Sequence, residues 1–374
     1  MFNSIRLRIA RERRGLTKKA LGELTGITTR TLSTYENTGL LDSVDSNLVT
    51  RISEALNYPV EFFYSDNPEQ ILKDGVSFRA MTKLSASKRD AALSAGTLAI
   101  EFNNWLESRF NLRSHNILDC SKENFVDPET AAEMLREHWM LGELSISNII
   151  HLLESKGVRV FSLAENCVEV DAFSFWLDDK PFIFLNTMKT PERSRFDAAH
   201  ELAHLVLHKH SSNNGRQAEE QADRFASAFL MPKGSVVAAV PSYPSMTQLI
   251  SLKKMWKVSL SALIRRTFDL GISSEWHYRQ LCIELSRTFG RKSEPEGIEE
   301  RETSLVLQKV FDRLRENKIS RTKILNELHL PLDELSALTF NSTFFMLKTV
   351  QGNKIFNDNE TIRQSISPNL KIVD

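Results

Sequence analysis

Along the first 65 residues, apolar side chains recur at helical spacing and then stop sharply. Ile5, Leu7, Ile9 and Ala10 make one face, and Gly15 ends that element. Thr17 can cap a second helix with a face of Ala20, Leu21 and Leu24. Thr25-Gly26-Ile27 reads as a tight turn in which glycine accepts a left-handed backbone. A third helix is expected over 28–36 and a fourth over about 47–56, with residues 59–63 closing the unit. Residues 66–84 are polar with little periodicity and read as a linker. A long amphipathic pattern returns over 85–112, followed by helical stretches near 128–141 and 145–156. The period then shortens: residues 158–163 alternate, and 172–177 and 181–185 read as strands around the turn Asp178-Asp179-Lys180. Helical patterns dominate from Pro191 to about residue 340, and 346–374 carries no readable pattern. The expected fold class is α+β, mostly α. It comprises a five-helix N-terminal unit, a domain with a small β-sheet and a helical C-terminal region.

A chain of 374 residues exceeds the usual size of one domain. The pattern divides it into 1–65, a linker over 66–84, a central domain over 85–275, and 276–374, to which no role is assigned. Charged residues at 26% and apolar residues at 41% match an ordinary globular protein and exclude whole-chain disorder and a collagen-like repeat. Cys120, Cys167 and Cys282 lie far apart with no CxxC pair, which fits a reducing compartment and argues against a thiolate metal site. No run approaches the roughly 18 apolar residues of a membrane helix. The first 15 residues are charged throughout, unlike a signal peptide. A cytoplasmic location without a membrane partner is expected.

Net charge is zero, with 48 basic and 48 acidic side chains, but its distribution is uneven. Arg6, Arg8, Arg11, Arg13, Arg14, Lys18, Lys19 and Arg30 face only Glu12 and Glu23 within residues 1–35, a surplus of the kind phosphate contact requires. Helix, glycine turn and helix make the helix-turn-helix arrangement. Residues 5–63 resemble the Xre/Cro-type helix-turn-helix domain of bacterial and phage repressors, through the pattern running from Leu16-Thr17 to Tyr35-Glu36. That resemblance implies binding to a double-stranded DNA operator, with Thr28, Thr29, Arg30, Ser33 and Thr34 toward the major groove. Lys18 stands where that family usually has glutamine, so it would keep a phosphate contact and read no base.

The segment with the most chemistry runs from Arg195 to His208 and contains His200-Glu201-Leu-Ala-His204. Residues four apart on a helix share a face, with Cβ atoms about 5–6 Å apart, so two imidazoles can share one zinc ion. Glu201 lies about 100° round the helix from His200, beside the metal, where it can act as general base. Fifteen residues after His204, a second helical pattern begins with Glu219 and Glu220 and closes at Phe229-Leu-Met-Pro232. Glu219 would complete a His2Glu set and leave a fourth position to water. Asp223, one turn on, would accept a hydrogen bond from a ligand imidazole. Glu220 competes as the third ligand. Glu219 is preferred because its spacing to Asp223 matches the thermolysin-like Glu-x-x-x-Asp pattern.

These two segments resemble the ImmA/IrrE family of bacterial metallopeptidases, with further matches at Val76–Arg79, Ile183–Asn186 and Trp256–Ile264. The resemblance covers roughly residues 75–275. It implies a zincin-like domain holding one Zn2+ per chain through His200, His204 and Glu219, with Glu201 as catalytic base. It also implies endopeptidase cleavage of a protein substrate, a repressor, in a mobile-element, stress or defence circuit. The rival expectation is a metal- or ligand-responsive regulator that uses the same fold as a sensor and cleaves nothing. His208, His210 and Arg195 are the candidates for stabilising an oxyanion. Two later stretches, 252–270 and 320–335, look like helix-turn-helix units, and helix packing is the expected role of both. A homodimer is compatible with all of this.

Overall fold

The computed structural model describes residues 1–42, 44–71, 85–122, 126–163, 172–209, 215–290, 294–342 and 344. Val76–Arg79, Cys167, His210 and 346–374 therefore lie outside the described residues, as does most of 66–84.

The N-terminal unit contains α1 (Ser4–Arg13), α2 (Lys18–Thr25), α3 (Thr29–Thr38) and α4 (Ser46–Leu56), followed by a short 3-10 helix over Val60–Tyr64. Side-chain oxygens start these helices: Thr17 accepts from the Ala20 amide and Thr28 from the Thr31 amide, each at 3.1 Å. Gly26 ends α2 with φ +71°, which turns the chain toward α3. Leu7, Leu21, Leu32, Ile52 and Phe62 are fully buried in the shared core. Pattern reading missed a two-residue antiparallel ribbon pairing β1 (Phe2–Asn3) with β2 (Leu40–Leu41). Strands this short carry no periodicity to read.

The second sheet is the one expected. It joins β3 (Arg159–Leu163), β5 (Lys180–Asn186) and β4 (Ala172–Leu177) in that order, with β3 parallel and β4 antiparallel to β5. Asp178 and Asp179 both take positive φ, as the tight primed turn of a hairpin demands. Side chains alternate across this sheet, and both faces are covered. Phe161, Phe173, Phe175, Phe182 and Phe184 face one core. Phe173 stacks on Phe184 at 4.5 Å and Phe175 on Phe182 at 5.1 Å, each across a register pair. That core is shared with the N-terminal unit, with α5 (Ala86–Glu107), and with α14 (Leu305–Glu316), α15 (Arg321–Leu328) and α16 (Leu332–Leu338). Val160, Ala172, Ile183 and Leu185 face the other core.

This second core holds α6 (Pro128–His138), α7 (Ile149–Ser155), α8 (Pro191–Leu207) and α9 (Arg216–Leu230). It also holds α10 (Lys233–Ala239), α11 (Met246–Trp256), α12 (Leu260–Asp269) and α13 (Glu275–Thr288). Among the described residues, no helix is long and apolar enough to cross a membrane. Both later helix-turn-helix-like stretches pack inward through residues such as Leu263, Ile264, Ile324 and Leu335.

The basic surplus of the N-terminus does not form a basic surface. Arg13 donates to Glu334 at 2.7 Å and Arg14 to Asp333 at 2.7 Å, both acids lying on α16. Arg6 pairs with Glu101 on α5, and Arg11 and Lys18 converge on Glu36. Arg8 reaches Gln70 at 2.7 Å, and Lys19 lies 3.9 Å from Glu23. Charge counted along a sequence says nothing of which carboxylates, 300 residues away, will meet it. Arg6, Arg13 and Arg14 attach the N-terminal unit to the rest of the molecule, whereas Arg11, Lys18 and Lys19 pair within it.

Candidate metal centre and nucleic-acid interface

Thr190 caps α8 and Pro191 occupies its first turn, where a missing N–H costs nothing. Ala198, Ala199, Leu202, Ala203 and Val206 form one continuous buried face of the helix. His200, Glu201 and His204 lie along the remaining side and are themselves buried. Helix α9 packs against α8 through Ala222, Phe225, Ala226 and Phe229, which brings the first turn of α9 to the histidines.

Three donor atoms converge there. His200 Nε2 lies 3.2 Å from His204 Nε2 and 3.4 Å from Glu219 Oε2, and His204 Nε2 lies 3.6 Å from Glu219 Oε1. Tetrahedral ligands at zinc-to-nitrogen distances near 2.05 Å are about 3.3–3.4 Å apart. The three residues thus already hold the spacing of one zinc coordination sphere, with a donor set suited to that metal. They form the one such His/Cys/Asp/Glu group among the described residues.

Behind His200, Asp223 Oδ1 lies 2.9 Å from Nδ1, which sets the ring proton there and aims the Nε2 lone pair at the cluster. Burial works against charging His200, but hydrogen bonds to Asp223 and Glu219 and the nearby Glu201 charge outweigh it and raise its pKa to about 10. The pocket favours positive charge at this point. Behind His204, Nδ1 faces His208 Nδ1 at 3.0 Å, and His208 Nε2 faces Gln221 Oε1 at 3.0 Å. Burial lowers the pKa of His208.

Glu201 reaches the inner side of β4, where the Ser174 hydroxyl donates to Oε2 at 2.7 Å. Ser174 escaped the sequence reading. Its signal was a lone hydroxyl at an inward position of an aromatic-rich strand.

Three candidates fall elsewhere. Glu220 points outward and pairs with Arg216 at 2.8 Å, because one step along α9 rotates it away from α8. Arg195 is 1% exposed, ion-paired with Glu302 and donating to the Ile146 carbonyl, so it ties α8 to neighbouring segments and faces no oxyanion. His208 is engaged by His204 and Gln221 rather than turned to an open site.

On the N-terminal unit, Thr28, Thr29, Arg30 and Thr34 are exposed and Ser33 is half-buried, on one side of the turn into α3. Among the described residues no carboxylate lies within ion-pair distance of Arg30, whereas Lys18 lies 3.4 Å from Glu36.

Residues 153–268 match the family model Peptidase_M78, the IrrE N-terminal-like domain, and residues 4–61 match HTH_31, a helix-turn-helix domain. No curated protein matches the chain. The first match spans β3 to α12 and contains the whole cluster; the second spans α1 to the 3-10 helix. The chain therefore joins an N-terminal helix-turn-helix domain to an IrrE N-terminal-like peptidase domain, the architecture of ImmA/IrrE proteins that carry such a DNA-binding unit.

Proposed function

We propose that this protein is a zinc-dependent endopeptidase fused to a DNA-binding domain, a proteolytic transcriptional regulator whose substrate is a repressor protein. The carrying observation is the convergence of His200, His204 and Glu219 at zinc-ligand spacing, with the Glu201 carboxylate on the same helix. His200, His204 and Glu219 would hold the zinc ion, which when bound would supply Lewis acidity toward a scissile carbonyl and a water. Glu201 takes the proton from the attacking water and returns it to the departing amine, so no net proton is gained or lost by the protein. The Ser174 hydroxyl, donating to Glu201 Oε2, holds that carboxylate in place beside the histidines. Thr28, Thr29, Arg30, Ser33 and Thr34 approach the major groove, and Lys18 adds a phosphate contact.

The test pairs metal content with cleavage. Purified protein should contain one zinc per chain, and full zinc retention in a His200→Ala/His204→Ala double variant overturns the metal site. The zinc-loaded protein is then incubated with a candidate repressor protein. Glu201→Gln should keep zinc and DNA binding while cleavage falls about 10²- to 10⁴-fold, roughly 3–5 kcal/mol of barrier. Unchanged promoter response together with unchanged digestion in Glu201→Gln would leave the non-proteolytic sensor standing.

A further inference from the structure

The two ligand histidines are supported by different chemistry. His200 leans on a carboxylate, Asp223, whereas His204 leans on a second histidine and then an amide. We infer that His208 and Gln221 are positioning residues for the metal, a two-link hydrogen-bonded chain that sets the tautomer and aim of His204. The inference rests on reading His200, His204 and Glu219 as a metal site.

Proton counting gives the chain its direction. His204 Nε2 is the atom within 3.6 Å of Glu219 and 3.2 Å of His200 Nε2, so it must present a lone pair to a cation. A neutral imidazole carries one ring proton, which must then be on Nδ1. That N–H points at His208 Nδ1, 3.0 Å away, so His208 Nδ1 accepts and its own proton is on Nε2. His208 Nε2–H in turn points at Gln221 Oε1, 3.0 Å away. Every donor meets an acceptor only in this direction. Reversing any one link would put a proton on the His204 nitrogen that faces the metal position.

Helix geometry builds the chain. His204 and His208 are four residues apart, His208 being the residue after the last turn of α8, so their rings lie side by side, tilted by 48° with centroids 5.1 Å apart. Gln221 lies two residues after Glu219 on α9 and reaches across the α8–α9 contact behind the cluster. The hydrogen bond between His208 and Gln221 thus also joins the two helices that carry the ligands. Losing it frees the His204 ring to rotate about its own side-chain bonds. His208 and Gln221 are each only half-buried, so shortening either leaves the core intact.

The experiment measures zinc affinity by competition with a chromophoric chelator, and the visible spectrum of the Co2+-substituted full-length protein. Removing a partner that orients a metal-bound histidine typically weakens metal binding about 10- to 100-fold. His208→Ala and Gln221→Ala should each fall in that range and alter the Co2+ bands, with the metal-free melting temperature unchanged. Gln221→Glu keeps an acceptor facing His208 and should retain or tighten binding. His208→Ala/Gln221→Ala should be no weaker than His208→Ala alone, because Gln221 acts only through His208. Wild-type affinity and spectrum in His208→Ala, or full additivity in the double variant, overturns the inference. His204→Ala separates the two levels: if it leaves zinc binding intact the metal site itself is wrong. If His204→Ala abolishes binding while His208→Ala changes nothing, only the chain is wrong.

Discussion

Glu334 and Glu219 are both buried glutamates, one 1% and the other 7% exposed, and their surroundings are opposite in kind. Glu334 on α16 accepts from Arg13 at 2.7 and 2.8 Å and from the Tyr58 hydroxyl at 2.9 Å, and lies 3.1 Å from Arg14. Its charge is matched within the chain, and its work is to fasten the DNA-binding unit to the C-terminal helices. Glu219 meets two imidazole nitrogens at 3.4 and 3.6 Å, each steered from behind by another side chain. Metal-ligating atom types gather at one point there, and the group could hold a cation. A buried carboxylate therefore reads as structural or functional according to whether its partners bring protons or lone pairs.

The largest effect belongs to the structural member. Glu334→Ala leaves the Arg13 guanidinium buried without its counter-charge and the Tyr58 hydroxyl without its acceptor, and should cost about 3–5 kcal/mol in urea unfolding of the full chain. A loss under 1 kcal/mol would break the comparison on this side.

A third buried carboxylate sharpens it. Among the described residues, Glu154 has neither a guanidinium nor an imidazole hydrogen-bonded to it. It accepts from the Ser304 hydroxyl and from the Leu305 and Val306 amides at the start of α14. Burial raises its pKa to about 7 against those hydrogen bonds. The folded state then binds more protons than the unfolded state between about pH 4.5 and 7, so this group's contribution declines as pH rises through that window and levels above it. Urea titrations across it should show a decline of up to about 3 kcal/mol in the wild type that Glu154→Gln removes.

Glu219→Ala should do the reverse of Glu334→Ala. In metal-free protein its stability should stay within about 1 kcal/mol of wild type, since functional clusters are rarely optimised for stability. The rise in melting temperature on adding zinc should disappear with it. Smallest of all, Arg30→Ala should weaken DNA binding and reduce the salt slope by about one. Lys18→Ala should change it less, because that ammonium already faces Glu36.

What could be read in advance follows the same division. The His200–His204 and Glu219–Asp223 spacings are local consequences of one helical turn, so the grouping of these side chains is legible in the sequence. The preference for Glu219 over Glu220 had the same basis. Ser174 and Gln221 join the cluster from other elements, and their roles depend on packing that no local pattern encodes. Arg195 carries a charge that looked available until Glu302, 107 residues later, was seen beside it. The N-terminal arginines show the same limit: the apolar period predicts their helices, but the partners of Arg6, Arg13 and Arg14 lie on α5 and α16.

That last distance has a consequence for how the protein is made. Arg13 and Glu334 are 321 residues apart, and the helix-turn-helix segment leaves the ribosome first. At about 5–20 residues per second, roughly 15–65 s pass between synthesis of the arginine and of the glutamate that pairs with it. During that interval the nascent DNA-binding unit displays an unneutralised cationic flank that the finished molecule conceals. Docking of α16 is thus a late event of biosynthesis, and a chain cut short before residue 333 would keep its newborn charge permanently.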